Sequence, residues 1–147
     1  MRETNGGFLI SQIKQIQGRV FDVLLQSAGI EEFNGAQGRI LYVLWQEDNL
    51  PIIELSKRTG LAKTTLTSML DRMEHKGFLN RVPDNRDRRL LRIVLTPKAR
   101  DLSDKYNEVS EEMSRFFYSG FSDKDIEEFE NALEKILENL TRKEREL

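Results

Sequence analysis

The stretch "IIELSKRTGLAKTTLTSMLDRMEHKG", residues 52–77, constrains the fold more than any other. "IIELSKRTG" has the spacing of a short helix that stops at Gly60. "LAKTTLTSMLDRMEHKG" resumes a helical period at once, with Ala62, Leu66, Met69, Leu70 and Met73 on one stripe and Gly77 placed as a left-handed residue beyond the end. Two helices joined by so short a glycine-containing turn define a helix-turn-helix. The next run, "FLNRVPDNRDRRLLRIVLT", changes period. Arg89, Leu91, Ile93 and Leu95 alternate with Leu90, Arg92 and Val94, and "PDN" supplies turn chemistry between two runs, which predicts a β-hairpin with an arginine-rich tip.

Helical spacing accounts for most of the remainder. A first helix carries Leu9, Ile13, Ile16, Val20, Val23 and Leu24. "SAGIEEFNG" breaks it and offers Asn34 as an N-cap. A second carries Ile40, Leu41, Leu44 and Trp45, and ends near "QEDNLP", where Asn49 and Pro51 mark a turn. Thr96 with Pro97 starts a helix bearing Leu102, Tyr106, Val109, Met113, Phe116 and Phe117. Ser122 with Asp125 resembles a capping box ahead of a last helix with Ile126, Phe129, Leu133, Ile136, Leu137 and Leu140. The fold class expected is mainly α with a small β-hairpin wing. Three long apolar stripes exceed what one small lobe can cover, so a second copy of the chain is the expected partner, through residues 8–29 and 97–145.

Charge shows which surface meets what. The chain's formal net charge is −2, yet residues 57–100 hold 12 Lys and Arg against 4 Asp and Glu, leaving +8 there and −10 elsewhere. Such asymmetry marks contact with nucleic acid or a membrane surface. No run approaches the roughly 18 apolar residues of a membrane span, and the N-terminal segment lacks a signal-peptide pattern, so a cytoplasmic protein that makes no membrane contact is expected. With no cysteine and a single histidine, His75, thiolate chemistry is excluded and a metal site is not expected. A Ser-His-Asp arrangement would have to use His75 on a solvated helix face, and no Gly-rich phosphate loop occurs, so neither catalytic residues nor a cofactor is expected. A winged module that binds protein would be expected to lose its basic wing, which this chain keeps.

On the face opposite the stripe of residues 61–77 lie Thr64, Ser68, Asp71, Arg72 and His75, flanked by Thr65 and Thr67. Short hydroxyl side chains let a helix approach the major groove, where threonine can meet a base edge or a thymine methyl and arginine can take guanine bidentately. Backbone amides near Ala62, Lys63 and Thr64 suit a phosphate. The competing reading is a solvated face, which usually carries more Glu and Lys than Thr. In the tip "DNRDRR", Arg86, Arg88 and Arg89 can reach a minor groove or phosphates, and Asp87 can hold one guanidinium in a fixed fork before binding.

The run "ELSKRTGLAKTTLTSMLDRMEHKGFLNRVPDNRDRRLLRIVLT" resembles the MarR family of winged-helix transcription regulators in its "ELSKRTGL", its threonine-rich helix ending "LDRMEHKGFLNR", and its "D-x-x-DRR…LT" wing. The flanking helical pattern extends the likeness over nearly the whole chain. Ala99 departs from the glycine frequent after the wing, at a helical position where this matters little. The resemblance implies a winged helix-turn-helix lobe over residues 34–96 and a helical dimerisation lobe from 1–33 and 97–147, forming one continuous domain. It implies a homodimer on a pseudo-palindromic double-stranded DNA operator, acting as a repressor relieved by a small effector. Ala62 to Ser68 becomes the groove-entering segment, Arg89 the minor-groove arginine and Asp87 its partner, with Arg72, Arg81, Arg86 and Arg88 completing the basic set. The family often holds small aromatic acids or phenols in a crevice between lobes. Phe33, Arg39, Tyr42 and Trp45 lie on the segment that would line it, but nothing in their spacing separates a crevice from ordinary packing, which is the preferred reading.

Overall fold

The structure is a computed structural model that describes residues 2–147. Its elements run α1 (Gly6–Ser27), α2 (Gly35–Gln46), β1 (Leu50–Pro51), α3 (Ile52–Thr59), α4 (Lys63–His75), β2 (Leu79–Pro83), β3 (Leu91–Leu95), α5 (Pro97–Arg100), α6 (Ser103–Phe117) and α7 (Asp123–Glu146). Among the described residues, no helix is long and apolar enough to cross a membrane.

Most helix ends obey signals within a few residues. Asn34 accepts from the Gln37 amide at 2.9 Å while Gln37 Oε1 accepts from the Asn34 amide at 3.2 Å, a reciprocal box that starts α2. Ser122 and Asp125 start α7 in the same way. Thr96, with Pro97 at the first helical position, starts α5. Gly60 (φ 73°) ends α3, and Gly77 (φ 84°) follows α4. After α4 the Phe78 amide reaches back to the Met73 carbonyl and the Gly77 amide to that of Glu74, each at 3.0 Å, while Phe78 and Met73 are both buried. This Schellman motif turns the chain directly into β2.

Three local expectations are corrected. The sheet has three strands, in the order β1-β3-β2, all antiparallel, where a two-stranded hairpin was expected. Leu50 pairs with Ile93 across a ladder too short to impose a period, and Pro51, which has no amide, sits on an edge strand. Second, β3 begins at Leu91, so Arg89 and Leu90 belong to the wing turn and Arg89 does not alternate with the strand. The Leu90 carbonyl accepts from the Asp84 amide at 2.9 Å, and the Leu90 amide donates back to Asp87. Third, the single helix expected after Thr96 is broken at Asp101–Leu102. The Ala99 carbonyl, which the helical ladder would use, accepts instead from Trp45 Nε1 at 2.9 Å and from the Leu102 amide at 3.2 Å.

The chain forms two compact units, Met1–Ser110 and Glu111–Leu147. The first has a continuous core that includes Leu25, Ile40, Leu44, Leu55, Leu66, Leu70, Met73, Phe78, Leu79, Ile93 and Tyr106. Tyr106 packs edge-on against Phe21 (5.6 Å between centroids) and beside Trp45 (5.0 Å). Its ring lies so close to α2 that a Cβ on Gly38 would fall 2.6 Å from Tyr106 Cε2, so any side chain there must displace the ring. In α1, Phe8, Leu9, Ile13, Ile16, Val20 and Val23 are exposed. In the second unit, Phe117, Tyr118, Phe121 and Phe129 form an aromatic cluster, and Tyr118 donates to Glu130 at 2.6 Å. Burial and the Glu130 carboxylate push this phenol up to about 12. Ile136, Leu137 and Leu140 of α7 are exposed.

Candidate nucleic-acid interface

The helix-turn-helix is set by hydroxyls as much as by glycine. Thr59 Oγ1 donates to the Leu55 carbonyl at 2.8 Å and accepts from the Leu61 amide, while Ser56 Oγ donates to the Leu61 carbonyl at 2.7 Å. These bonds tie Leu61 in the turn back to the last residues of α3. Arg58 Nη2 reaches from α3 to Glu47, just past the end of α2, at 3.1 Å, while its Nε is held by Glu54 one turn back within α3, also at 3.1 Å.

Leu66, Leu70 and Met73 of α4 are buried, Met69 is half-buried, and Thr64, Thr65, Ser68, Asp71, Arg72 and His75 are exposed. Ala62 and Lys63 are exposed at the start of α4, and no side chain caps the first amides. Those amides carry the positive end of the helix dipole. Thr67 is half-buried, and its hydroxyl donates to the Lys63 carbonyl at 2.8 Å, which commits that proton to the helix.

In the wing, the expected fork is present. Asp87 Oδ1 accepts from Arg89 Nε and Oδ2 from Nη2, both at 3.0 Å, and the Arg89 amide adds a third bond at 3.1 Å. The Arg89 side chain nonetheless stays 90% exposed. Arg89 holds the Asp87 carboxyl below the usual carboxylate range, first through its side chain and then through its amide. Arg86 and Arg88 are exposed beside it. Arg81 is placed differently. Its guanidinium is bound by Glu74 (Nε 3.1 Å, Nη2 2.8 Å) and by Asp71, and its amide donates to Glu74 at 2.8 Å. These bonds hold Glu74 below its ordinary value, with the amide as the largest cause. Arg81 thus braces β2 against α4 and turns its donors inward.

Reading the sequence missed a second brace. Arg92 spans from Asp84 (Nη1, 3.0 Å) to the turn before β1, where Asn49 accepts from Nε at 2.9 Å and from Nη2 at 2.6 Å. Asp84 also takes the Arg86 and Asp87 amides, at 2.8 and 3.2 Å. That part is local turn chemistry available to any Asp before a tip. The Arg92–Asn49 contact joins residues 43 apart and leaves no local signal.

Of the residues named for an effector crevice, Phe33, Tyr42 and Trp45 all pack around the Tyr106 ring, at 6.2, 6.4 and 5.0 Å between centroids, but they differ in exposure. Phe33 is buried in the core, edge-on to Phe78 at 5.7 Å. Trp45 is half-buried and spends its N–H on Ala99, while Arg39 and Tyr42 are exposed.

By fold the chain is a winged helix-turn-helix protein: a helix pair joined by a tight turn, followed by a sheet whose hairpin carries the basic tip. The family model described as MarR family matches residues 33–91. An HTH-type transcriptional regulator of Bacillus subtilis, YsmB, is 33% identical over 100 residues, which cover 68% of this chain and 68% of that protein. TtmR of Methylorubrum extorquens, also an HTH-type transcriptional regulator, is 38% identical over 88 residues, covering 60% and 44%. Among solved structures, a MarR transcriptional regulator of Methanosarcina mazei superposes with a TM-score of 0.81 at 22% identity, covering 97% of this chain and 94% of that one. A mutant of Escherichia coli MarR in complex with operator DNA superposes with a TM-score of 0.80 at 23% identity, covering 89% and 92%. The chain belongs to the MarR family of transcriptional regulators.

Proposed function

We propose that the chain binds double-stranded DNA in a sequence-specific way, as a homodimer on a pseudo-palindromic operator, and that it represses transcription until a small aromatic or phenolic effector relieves it. The observation that carries this reading is the Asp87–Arg89 fork: a guanidinium held bidentately yet 90% exposed is prepared for an acceptor outside the chain. The uncapped start of α4 and the exposed hydroxyls of Thr64, Thr65 and Ser68 supply a phosphate seat and a major-groove surface. In this reading Ala62 to Ser68 enters the groove, Arg72, Arg86 and Arg88 face the backbone, and Arg81 acts as a brace. Residues 34–96 form the DNA-binding lobe, while 1–33 and 97–147 dimerise. Support for the dimer comes from the exposed apolar residues of α1 and of α7, which a monomer would leave in water. The effector part rests on the family alone.

Selection from a random duplex library tests this reading, together with sedimentation of the free chain. Recovered duplexes should carry two half-sites with centres about 10 base pairs apart. The slope of log affinity against log salt should be steep, on the order of −6 to −10 for the dimer. A monomer at micromolar concentration, or failure to enrich any duplex, would sink the proposal.

A further inference from the structure

We propose that Arg92 is a positioning residue for the wing: it sets the direction of Arg89 from an anchor in the turn between α2 and β1. This rests on reading Arg89 as a DNA contact. The two residues do not touch, but an unbroken series of hydrogen bonds connects them. Arg92 takes its anchor from Asn49, through Nε to the side-chain oxygen at 2.9 Å and Nη2 to the backbone carbonyl at 2.6 Å. Its Nη1 donates to Asp84 Oδ2 at 3.0 Å. The other Asp84 oxygen holds the Arg86 and Asp87 amides, and Asp87 holds Arg89 through both carboxylate oxygens.

Each link fits this role better than a role in general stability. Asn49 is the one non-glycine with positive φ among the described residues, at 59°. That conformation costs energy for any residue with a Cβ, though asparagine tolerates it better than most. It is coupled here to presenting two oxygens to one guanidinium. Asp84 is held below the ordinary carboxylate range by the Arg86 amide first and Arg92 next, so it stays ionised as the junction between turn and tip. A hairpin is free to twist about its base, and a planar guanidinium bonded on two sides removes that freedom. Lysine has a single nitrogen and cannot bridge both partners in that plane. Three of the five Arg92 donors are already used inside the chain, which disfavours Arg92 as a phosphate contact in its own right.

The test uses the full chain and the tightest duplex from the selection described above, with Arg92→Lys and Asn49→Gly made alone and in an Arg89→Ala background. Asn49→Gly suits the left-handed turn and removes only the side-chain acceptor, so it serves if the lysine variant folds poorly. Two quantities are read: the ¹⁵N relaxation of Arg89 Nε in the free protein, and duplex affinity. Arg92→Lys should make Nε visibly more mobile and weaken binding by at least about fivefold, the lower end of what a groove arginine contributes per half-site. Asn49→Gly should move both in the same direction by less. With Arg89 already alanine, Arg92→Lys should cost nothing further. An unchanged Nε in both variants overturns the proposal, as does an equal loss of affinity with and without Arg89, which would make Arg92 a DNA contact or a general prop. If no duplex is selected, the DNA reading fails separately and the Nε measurement alone decides the relay.

Discussion

On the proposed reading, Asp87→Ala is expected to weaken duplex binding even though it removes a negative charge from a wing that would face a polyanion. Charge alone favours the variant. A carboxylate about 7 Å from a phosphate opposes binding by a factor of about three in water, and screening at physiological salt brings this below about twofold. The opposing term comes from the fork. Asp87 fixes the Arg89 guanidinium through two bonds of 3.0 Å and its amide through one of 3.1 Å, on a side chain otherwise 90% exposed. Immobilising a free arginine only at the moment of docking costs about two- to tenfold in affinity. Taking about fivefold, the net effect is a loss of about threefold per wing, or roughly tenfold for a dimer that uses both. Fluorescence anisotropy at two salt concentrations reads this directly. The charge gain fades with salt while the ordering cost does not, so the deficit should widen as salt rises. Arg89→Ala should bind less well than wild type, and adding Asp87→Ala to it should not weaken binding further. Thermal stability should barely change in either variant, since both side chains sit at a solvated tip. Tighter binding by Asp87→Ala, or losses that simply add in the double variant, would refute the preorganised wing.

Glu74→Ala should destabilise the fold by about 2 kcal/mol in urea titration, because three bonds to Arg81 are lost at a partly exposed site; Glu74→Gln, which keeps an acceptor for the Arg81 amide, should lose less. Gly38→Ala should cost on the order of 1–3 kcal/mol, since its methyl would meet Tyr106 Cε2 at 2.6 Å and the core must shift to admit it; an unchanged melting temperature would show that the rings yield freely. Glu74 and Asp84 both have folded-state pKa values below their ordinary ones. Their contribution is therefore complete above about pH 4.5 and is lost as pH falls through the lower folded values. Urea midpoints should be insensitive to these groups between about pH 5 and 8 and fall on acidification, and a midpoint that rises on acidification would contradict the assignment.

Features settled within a few residues were legible in the sequence. Gly60, Gly77, Asn34, Thr96–Pro97 and Ser122–Asp125 each fix a helix end through backbone conformation or a bond to a near neighbour. The acid–arginine fork at the wing tip spans only two positions and was legible too. What escaped depends on partners far along the chain. β1 exists because Leu50 meets Ile93, and the helix after Thr96 breaks where Trp45 reaches Ala99 across 54 positions. Arg81 and Arg92 looked like two more basic residues in a basic segment. Only the fold shows that Glu74, Asp71, Asp84 and Asn49 engage them, leaving Arg86, Arg88 and Arg89 as the exposed arginines of the tip.

The bond from Trp45 to the Ala99 carbonyl has an optical consequence. Trp45 is the only tryptophan in the chain. Its indole N–H is tied at 2.9 Å to the segment that follows β3, and its ring lies 5.0 Å from Tyr106, within range of efficient energy transfer. Emission excited at the red edge of the absorption band therefore comes from one site, placed where the wing strand hands over to α6. Its wavelength reads the polarity around that indole. Unlabelled protein thus carries its own gauge of this junction, ready for titration with duplex or with small aromatic acids.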